Sequence, residues 1–359
     1  MPDAMNENLP APPIRVAVDA FGGDHAPREI VRGVLLYAEL AVQGVVTPAQ
    51  MILVGDVPGI ERELHEALNG KPVPAEITTH PASQVVAMDA HPTEVLKKPD
   101  SSLMVATTLV KHGAADAVYS AGNTGAMLVS SIALLEKIAG IKRPPIAAFM
   151  PQQNGRRYVL VDAGANLQCK ASYLLQFALL GSLYAEHVFG YHNPRVGLLS
   201  NGEEDGKGDE LTKEAGVLLK EKAHEYGLNY VGNTEPHYAF AGSVDVLVCD
   251  GFAGNILLKA AEGMGEVAMR ILKEGMVNAD ASAHAALSVA HARIAAGIDY
   301  VEAGSAPLLG VNGVSMIAHG RSNARAVMNG IRVTVDAAKS PYIQRVQEAF
   351  AKLAKAEAH

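Results

Sequence analysis

Along residues 14–20, IRVAVDA, apolar side chains alternate at Ile14, Val16 and Val18, the period of a strand with one buried face. A glycine-rich turn follows, and REIVRGVLLYAELA then repeats its apolar positions at helical spacing. The unit recurs. MILVG precedes PGIERELHEALNG, ADAVYSAGNTG precedes AMLVSSIALLEKIAG, and YVLVDAGAN precedes a long apolar helix through 170–188. PRVGLLS leads into DELTKEAGVLLKEKAHEYG, and VDVLVCD into GNILLKAAEGMGEVAMRILKEG. Short β-branched strands alternating with long helices predict a mostly parallel sheet covered on both faces, with strand order left open. The Ala- and His-rich stretch 280–297 predicts a helical excursion from that sheet.

In sheets of this class, ligands sit outside the carboxyl ends of the strands. Five polar, glycine-rich segments fall there: VDAFGGDHAP, YSAGNTGA, VDAGAN, LLSNGEEDGKG and CDGFAGN. Any one of them reads equally well as a tight turn capped by Asp or Asn. Five together predict one polar crevice. Asp19 closes the first strand, and Asp24 and His25 follow in its turn; His25 is an acid, a base or an anion donor, or else a helix-start contact. Asn123 and Thr124 open a helix whose free N–H groups favour phosphate. Asp162 and Asn166 repeat the strand-end arrangement. Asn201 lies with Glu203, Glu204 and Asp205 in an acidic loop that solvates as readily as it binds Mg²⁺, and it has no defined coordination pattern.

Asn255 and Lys259 are one helical turn apart on a shared face, so an amide and a cation there could hold a phosphate or polarise a carbonyl. A cap and a solvated lysine are the plain alternative. Lys213 lies opposite the stripe Leu211, Ala215, Leu218, Leu219 and Lys222, which makes it a surface lysine by pattern. Its place in the first helical turn after a polar loop still brings it toward the strand-end crevice.

Composition narrows the classes. A chain of 359 residues fits two domains or one extended α/β body. A net charge of -8 excludes a broad nucleic-acid footprint and leaves a local anion site open. Cys169 and Cys249 lie far apart without metal-ligand or disulfide spacing, and read as buried thiols. The first strand–helix turn lacks both the dinucleotide fingerprint and the P-loop, so neither cofactor class is expected. The lead over 1–13 has no basic start or apolar core, and no apolar run is long enough to span a bilayer; a cytoplasmic location is expected.

Taken in order, VDAFGGDHAP, SAGNTGAML, GIKRPP, VLVDAGAN, NGEEDGKGDELTKEA, DVLVCDGFAGNILLK and GSAPLLGVNGVSMIAHGRSNARA resemble the bacterial phosphate acyltransferase family of phospholipid synthesis, the acyl-[acyl-carrier-protein]:phosphate acyltransferases. The match covers nearly all of the chain after the first dozen residues. The resemblance implies a three-layer α/β/α sandwich of isopropylmalate dehydrogenase-like architecture. Its body would span 14–350, with the helical excursion near 270–300 and a tail over 351–359. It implies transfer of a fatty acyl group from acyl-carrier protein to inorganic phosphate by a homodimer, without metal or cofactor. The acyl phosphate would then feed a glycerol-3-phosphate acyltransferase.

By the same resemblance, the lysine of the ELTK motif is Lys213 and the asparagine of the DGF-x-GN motif is Asn255, the catalytic pair. Asp19, Gly23, Asp24, His25, Asn123, Thr124 and His319 occupy other family segments and join Asp162, Asn201 and Lys259 as substrate-binding candidates. Two positions depart from the family pattern: Phe21 replaces the usual Met, and Arg321 replaces a small residue. The family's peripheral membrane contact uses an apolar, basic helical tip. Here NADASAHAALSVAHARIAAG carries only Arg293, which weakens that expectation. Docking of a carrier protein predicts a local positive patch, with Arg28, Arg32, Lys97 and Lys98 as contributors. Two other readings stand beside this one: a phosphate acetyltransferase-like enzyme using acyl-coenzyme A, and a non-catalytic module that binds acyl-carrier protein.

Overall fold

The computed structural model describes residues 12–277, 279–298 and 300–357; residues 1–11 of the predicted lead and 358–359 lie outside the described residues. The strands, in chain order, are β1 (Ile14–Asp19), β2 (Ala49–Gly55), β3 (Ile77–Pro81), β4 (Ala117–Ser120), β5 (Ala147–Pro151) and β6 (Arg157–Val161). They continue as β7 (Arg195–Leu199), β8 (Asn229–Thr234), β9 (Val246–Val248), β10 (Ala306–Pro307) and β11 (Val314–Ile317). The single sheet expected from the pattern is in fact two. One is six-stranded, ordered β10-β11-β4-β1-β2-β3, and the other five-stranded, ordered β5-β6-β9-β7-β8.

Each sheet is parallel except for one antiparallel edge, β10 against β11 and β5 against β6. The two edges meet at an antiparallel bridge between Ile146 and Leu308, beside which the Leu309 N–H donates to the Pro145 carbonyl at 2.9 Å. The β5–β6 hairpin has a local cause that strand–helix alternation conceals. Asn154-Gly155 is a hairpin dipeptide: Gly155 takes φ +79°, and Asn154 Oδ1 accepts the Arg156 N–H at 2.9 Å.

The two sheets carry the same device at their amino ends. Arg15, in β1, gives its backbone N–H and its guanidinium to Asp116, both at 2.8 Å, just before the neighbouring β4. Arg195, in β7, gives its backbone N–H at 2.9 Å and its Nε at 3.0 Å to Asp245, just before the neighbouring β9. In each pair the Asp N–H returns a bond of 2.8 Å to the arginine carbonyl. Burial pushes both carboxyls up, but the arginine hydrogen bonds win and hold them below the usual carboxylate range.

Alternation sorts the strand residues into two cores. Val16, Val18, Val159, Val161, Val246 and Val248 face one side, covered by the helices Ala171–His187 and Ala324–Lys339. Ala17, Val118, Leu160 and Leu247 face the other, covered by Ser102–Lys111 and Thr124–Leu134 and by the start of Gly251–Val277. The expected excursion region holds the end of Gly251–Val277 and the helix Ala281–Ile298. The predicted tail is helical instead: Tyr342–Glu357 runs through it and buries Phe350 and Leu353. Among the described residues, no helix is long and apolar enough to cross a membrane.

Candidate functional site

At the ends of β1 and β4, most of the polar groups serve the fold. Asp19 is buried; Ser120 Oγ donates to its Oδ2 at 2.7 Å, and the Phe21 N–H to its Oδ1 at 3.3 Å. Burial pushes its carboxyl up, against the pull of these donors and of Ser102. Gly23 lies between the carbonyls of Gly320 and Ala121, and Asp24 N–H donates to Gly320 O at 2.8 Å. Asp24 and His25 are exposed. Asn123 is fully engaged: its Oδ1 caps the next helix at Ala126 N, and its Nδ2 donates to the carbonyls of Met88 and Ala90 at 2.9 and 2.8 Å. Phe21 packs on Gly55, its ring standing where a Cβ on that glycine would lie.

At the end of β6, Asp162 is a buried hub. Its oxygens accept the backbone N–H groups of Ile146, Gly164, Ala165 and Asn166 and the side-chain amide of Asn166, at 2.7 to 3.1 Å. Burial raises its pKa, while the hydrogen bonds from Ala165, the Asn166 side chain, Gly164 and Ile146 oppose that shift by favouring the carboxylate. The helix Gly251–Val277 seats directly on this turn. Gly251 N–H donates to Asn166 O at 2.8 Å, and a Cβ on Gly254 would lie 1.9 Å from Asp162 O, so only glycine fits there. Asp250 caps the helix, its Oδ1 accepting Phe252 N–H at 2.8 Å and Ala253 N–H at 2.9 Å. The capping role that the sequence offered to Asn255 therefore belongs to Asp250, and Asn255 is left exposed beside Gly164.

Asn255 stands at the polar end of an open cleft of about 860 Å³ that straddles the junction of the two sheets. Thr124, Gly164, Lys259 and His319 share that end. Most of the remaining lining is apolar: Ala148 and Met150 from β5, Ile146 just before it, and Leu257, Leu258 and Ala261 from the helix, which also contributes Glu262. Lys259 Nζ pairs with Glu262 Oε2 at 2.7 Å, and both residues line the cleft. His319 Nδ1 accepts the Arg321 N–H at 3.1 Å, which assigns the proton of the neutral ring to Nε2. Burial lowers the pKa of this imidazole, and the neighbouring charges of Lys259 and Arg321 lower it further.

The structure thus gathers Asn255, Lys259, Thr124 and His319, with Asp24 close enough to His319 to act on its charge. It leaves Asp19, Asp162 and Asn123 as supports behind them. Lys213 stands after the carboxyl end of β7, the neighbour of β9, but outside the cleft lining. Its side chain is exposed and makes no ion pair among the described residues. Asn201 closes its own loop by accepting the Gly208 N–H at 2.7 Å, and Asp205 in that loop pairs with Lys220. No group of three or more His, Cys, Asp or Glu able to hold a metal occurs among the described residues. Burial pushes the Cys169 thiol up to about 12 and the Cys249 thiol upward too, which leaves neither a ready nucleophile.

The sequence reading missed the apolar half of the site. Met88, Met150 and Phe240 line the cleft, and none belongs to a glycine-rich strand end. Two signals were present: the unbroken apolar run IAAFM over 146–150, and Met88 next to Asp89 in a stretch without strand or helix period.

The family model for the fatty acid synthesis protein matches residues 14–345. The phosphate acyltransferase of Trichlorobacter lovleyi is 45% identical over 339 residues, covering 93% of this chain and 94% of the relative. That of Desulfitobacterium hafniense is 41% identical over 348 residues, covering 96% and 100%. Among solved structures, a phosphotransacetylase from Streptococcus pyogenes superposes with a TM-score of 0.60 at 19% identity, over 91% of this chain and 94% of that one, a likeness of fold alone. Near-complete coverage at such identity leaves no room for a different lineage: the chain belongs to the phosphate acyltransferase family.

Proposed function

We propose that the chain transfers a fatty acyl group from acyl-carrier protein to inorganic phosphate, and that the acyl phosphate goes on to acylate glycerol 3-phosphate. The observation that carries the reading is the cleft: apolar along its walls, with an amide, a cation and a neutral imidazole at one end. A thioester laid in it places its carbonyl at the polar end. An oxygen of hydrogen phosphate attacks the carbonyl carbon, the carbon–sulfur bond breaks, and the proton carried by the phosphate balances the departing thiolate. Asn255 Nδ2 and His319 Nε2–H are donors for the oxyanion that forms in between. Lys259 is a cation for the phosphate, and Lys213 approaches it from the neighbouring strand end. Holding both reactants in register lowers the barrier alongside the oxyanion donors.

The exposed apolar positions Phe252, Ile256, Val267 and Ile271 on the helix Gly251–Val277 are the surface we assign to a homodimer, readable by scattering at several concentrations. The chain works in the cytoplasm in this reading. Its carrier protein docks on exposed cations, Arg321 next to the cleft residues His319 and Gly320 and Lys97 among them, rather than on Arg32, which is close to Glu29, or Lys98, which donates to Val85 O.

Purified chain, metal-free phosphate and matched acyl-carrier-protein and acyl-coenzyme A thioesters test this, with acyl phosphate detected directly by mass spectrometry. Faster turnover of the carrier-protein thioesters is expected. Equal use of both carriers would overturn the carrier assignment, and no acyl phosphate from either would overturn the reaction. The pH profile bears on His319. Its pKa is lowered, so the neutral ring persists as pH falls through about 6.5, the usual imidazole value, and turnover on this limb declines only below it. Hydrogen phosphate loses nucleophilicity on protonation as well, so the imidazole's limb is read against His319→Gln: an acid limb unchanged in that variant belongs to the phosphate and would remove the imidazole from the mechanism.

A further inference from the structure

The cleft has a length, and its walls agree on it. On the helix Gly251–Val277 the lining runs from Asn255 to Ala268, about 20 Å at the α-helical rise. On β5 and the residue before it, the lining runs from Ile146 to Pro151, about 17 Å at the rise of a strand. The bridge between Ile146 and Leu308 lays β10 alongside, and Gly304, Ser305 and Ala306 line the same stretch. The strand's direction locates the polar end: Ile146 N–H bonds to Asp162, in the turn that holds Gly164 against Asn255. Pro151 lies opposite Arg157, at the other end of the hairpin.

Phe240 lies at that far end. The Gln153 N–H, just past Pro151, donates to its carbonyl at 2.9 Å. Its ring meets the Tyr158 ring edge-on, with centroids 5.8 Å apart, and Tyr158 is the β6 partner of Met150. Ala261 lies midway along the helical wall, six residues from Asn255 and about 9 Å from it along the axis.

Resting on the reading above, we propose that this cleft is a ruler for the acyl chain, with Phe240 as its stop and the small side chain of Ala261 keeping its middle open. A saturated chain advances about 1.3 Å per carbon, the projection of a bond of about 1.5 Å. The two walls therefore take about 13 to 15 carbons beyond the carbonyl, the length of a myristoyl to palmitoyl group. Each methylene kept out of it weakens binding about fourfold, from the free energy of burying one methylene.

The test compares palmitoyl, hexanoyl and longer saturated thioesters as substrates for the full chain and for Ala261→Phe and Phe240→Ala. In A261F the palmitoyl-to-hexanoyl ratio of kcat/KM is expected to fall at least tenfold. In F240A the optimum is expected to move to chains longer than palmitoyl. Wild-type turnover with unchanged length profiles in both variants would overturn the ruler and leave the reaction standing. Calorimetric binding of saturated fatty acids of graded length, on the wild-type chain, reads the cleft without turnover. Affinity that climbs with length and levels off near palmitate supports the ruler even if no thioester yields acyl phosphate, and affinity without length dependence overturns it.

Discussion

Asn255→Ala is expected to keep its fold and lose on the order of a hundredfold in turnover, the usual cost of one oxyanion donor, about 3 kcal/mol of transition-state stabilisation. The separation of the two effects follows from the helix start. Asp250 accepts the first N–H groups, so truncating Asn255 exposes no orphan donor of the helix. The side chain is exposed and touches the edge of Gly164 without filling a core cavity. Its loss should shift stability by no more than about 0.5 kcal/mol, the range of ordinary surface substitutions. Parallel rate measurements and urea melts decide the matter. A folded variant with near-normal acyl phosphate formation would take Asn255 out of the chemistry.

Asp162→Ala should do the opposite and strike the fold first. Four backbone N–H groups and one side-chain amide converge on this buried carboxylate, and truncation strands them together. Each buried donor left without a partner costs about 1–3 kcal/mol, so losing the hub is expected to cost at least about 3 kcal/mol. Asp162→Asn, which keeps an acceptor oxygen of similar shape, is expected to fall between. Because the helix start rests on the same turn, any activity lost in D162A should track the unfolded fraction. Urea denaturation that places D162A within about 1 kcal/mol of the wild type would show the hub to be dispensable.

The layers of the fold were legible in the sequence because burial on two faces writes itself as alternation, and Val16, Ala17 and Val18 do fall in opposite cores. The division into two sheets was not. It turns on β10, two residues long, and on the Asn154-Gly155 hairpin, neither of which has a periodicity to detect. At the site, residue type could not separate Asn123 from Asn255. Both follow strands and both neighbour a glycine, yet one has its amide fully bonded and the other is left exposed in the cleft. What distinguishes them is a partner distant in sequence, the segment around Met88 in one case and the capping Asp250 with Gly164 in the other. Lys213 is the reverse case. Its helical pattern marks a surface side chain, and the structure leaves it exposed on the helix that follows β7, the strand paired with β9.

The contact between Gly254 and the Asp162 carbonyl ties two distant stretches of the gene to a common fate. With no space for even a methyl group, a change at 254 is tolerated only on a background in which the 162–166 turn has already moved. That turn is pinned in turn by Pro144, whose carbonyl takes an amide hydrogen of Asn166 at 3.0 Å. Drift in one segment is therefore conditional on drift in the others. Grafting the DGFAGN stretch alone into another scaffold would transplant the asparagine without the surface that aims it.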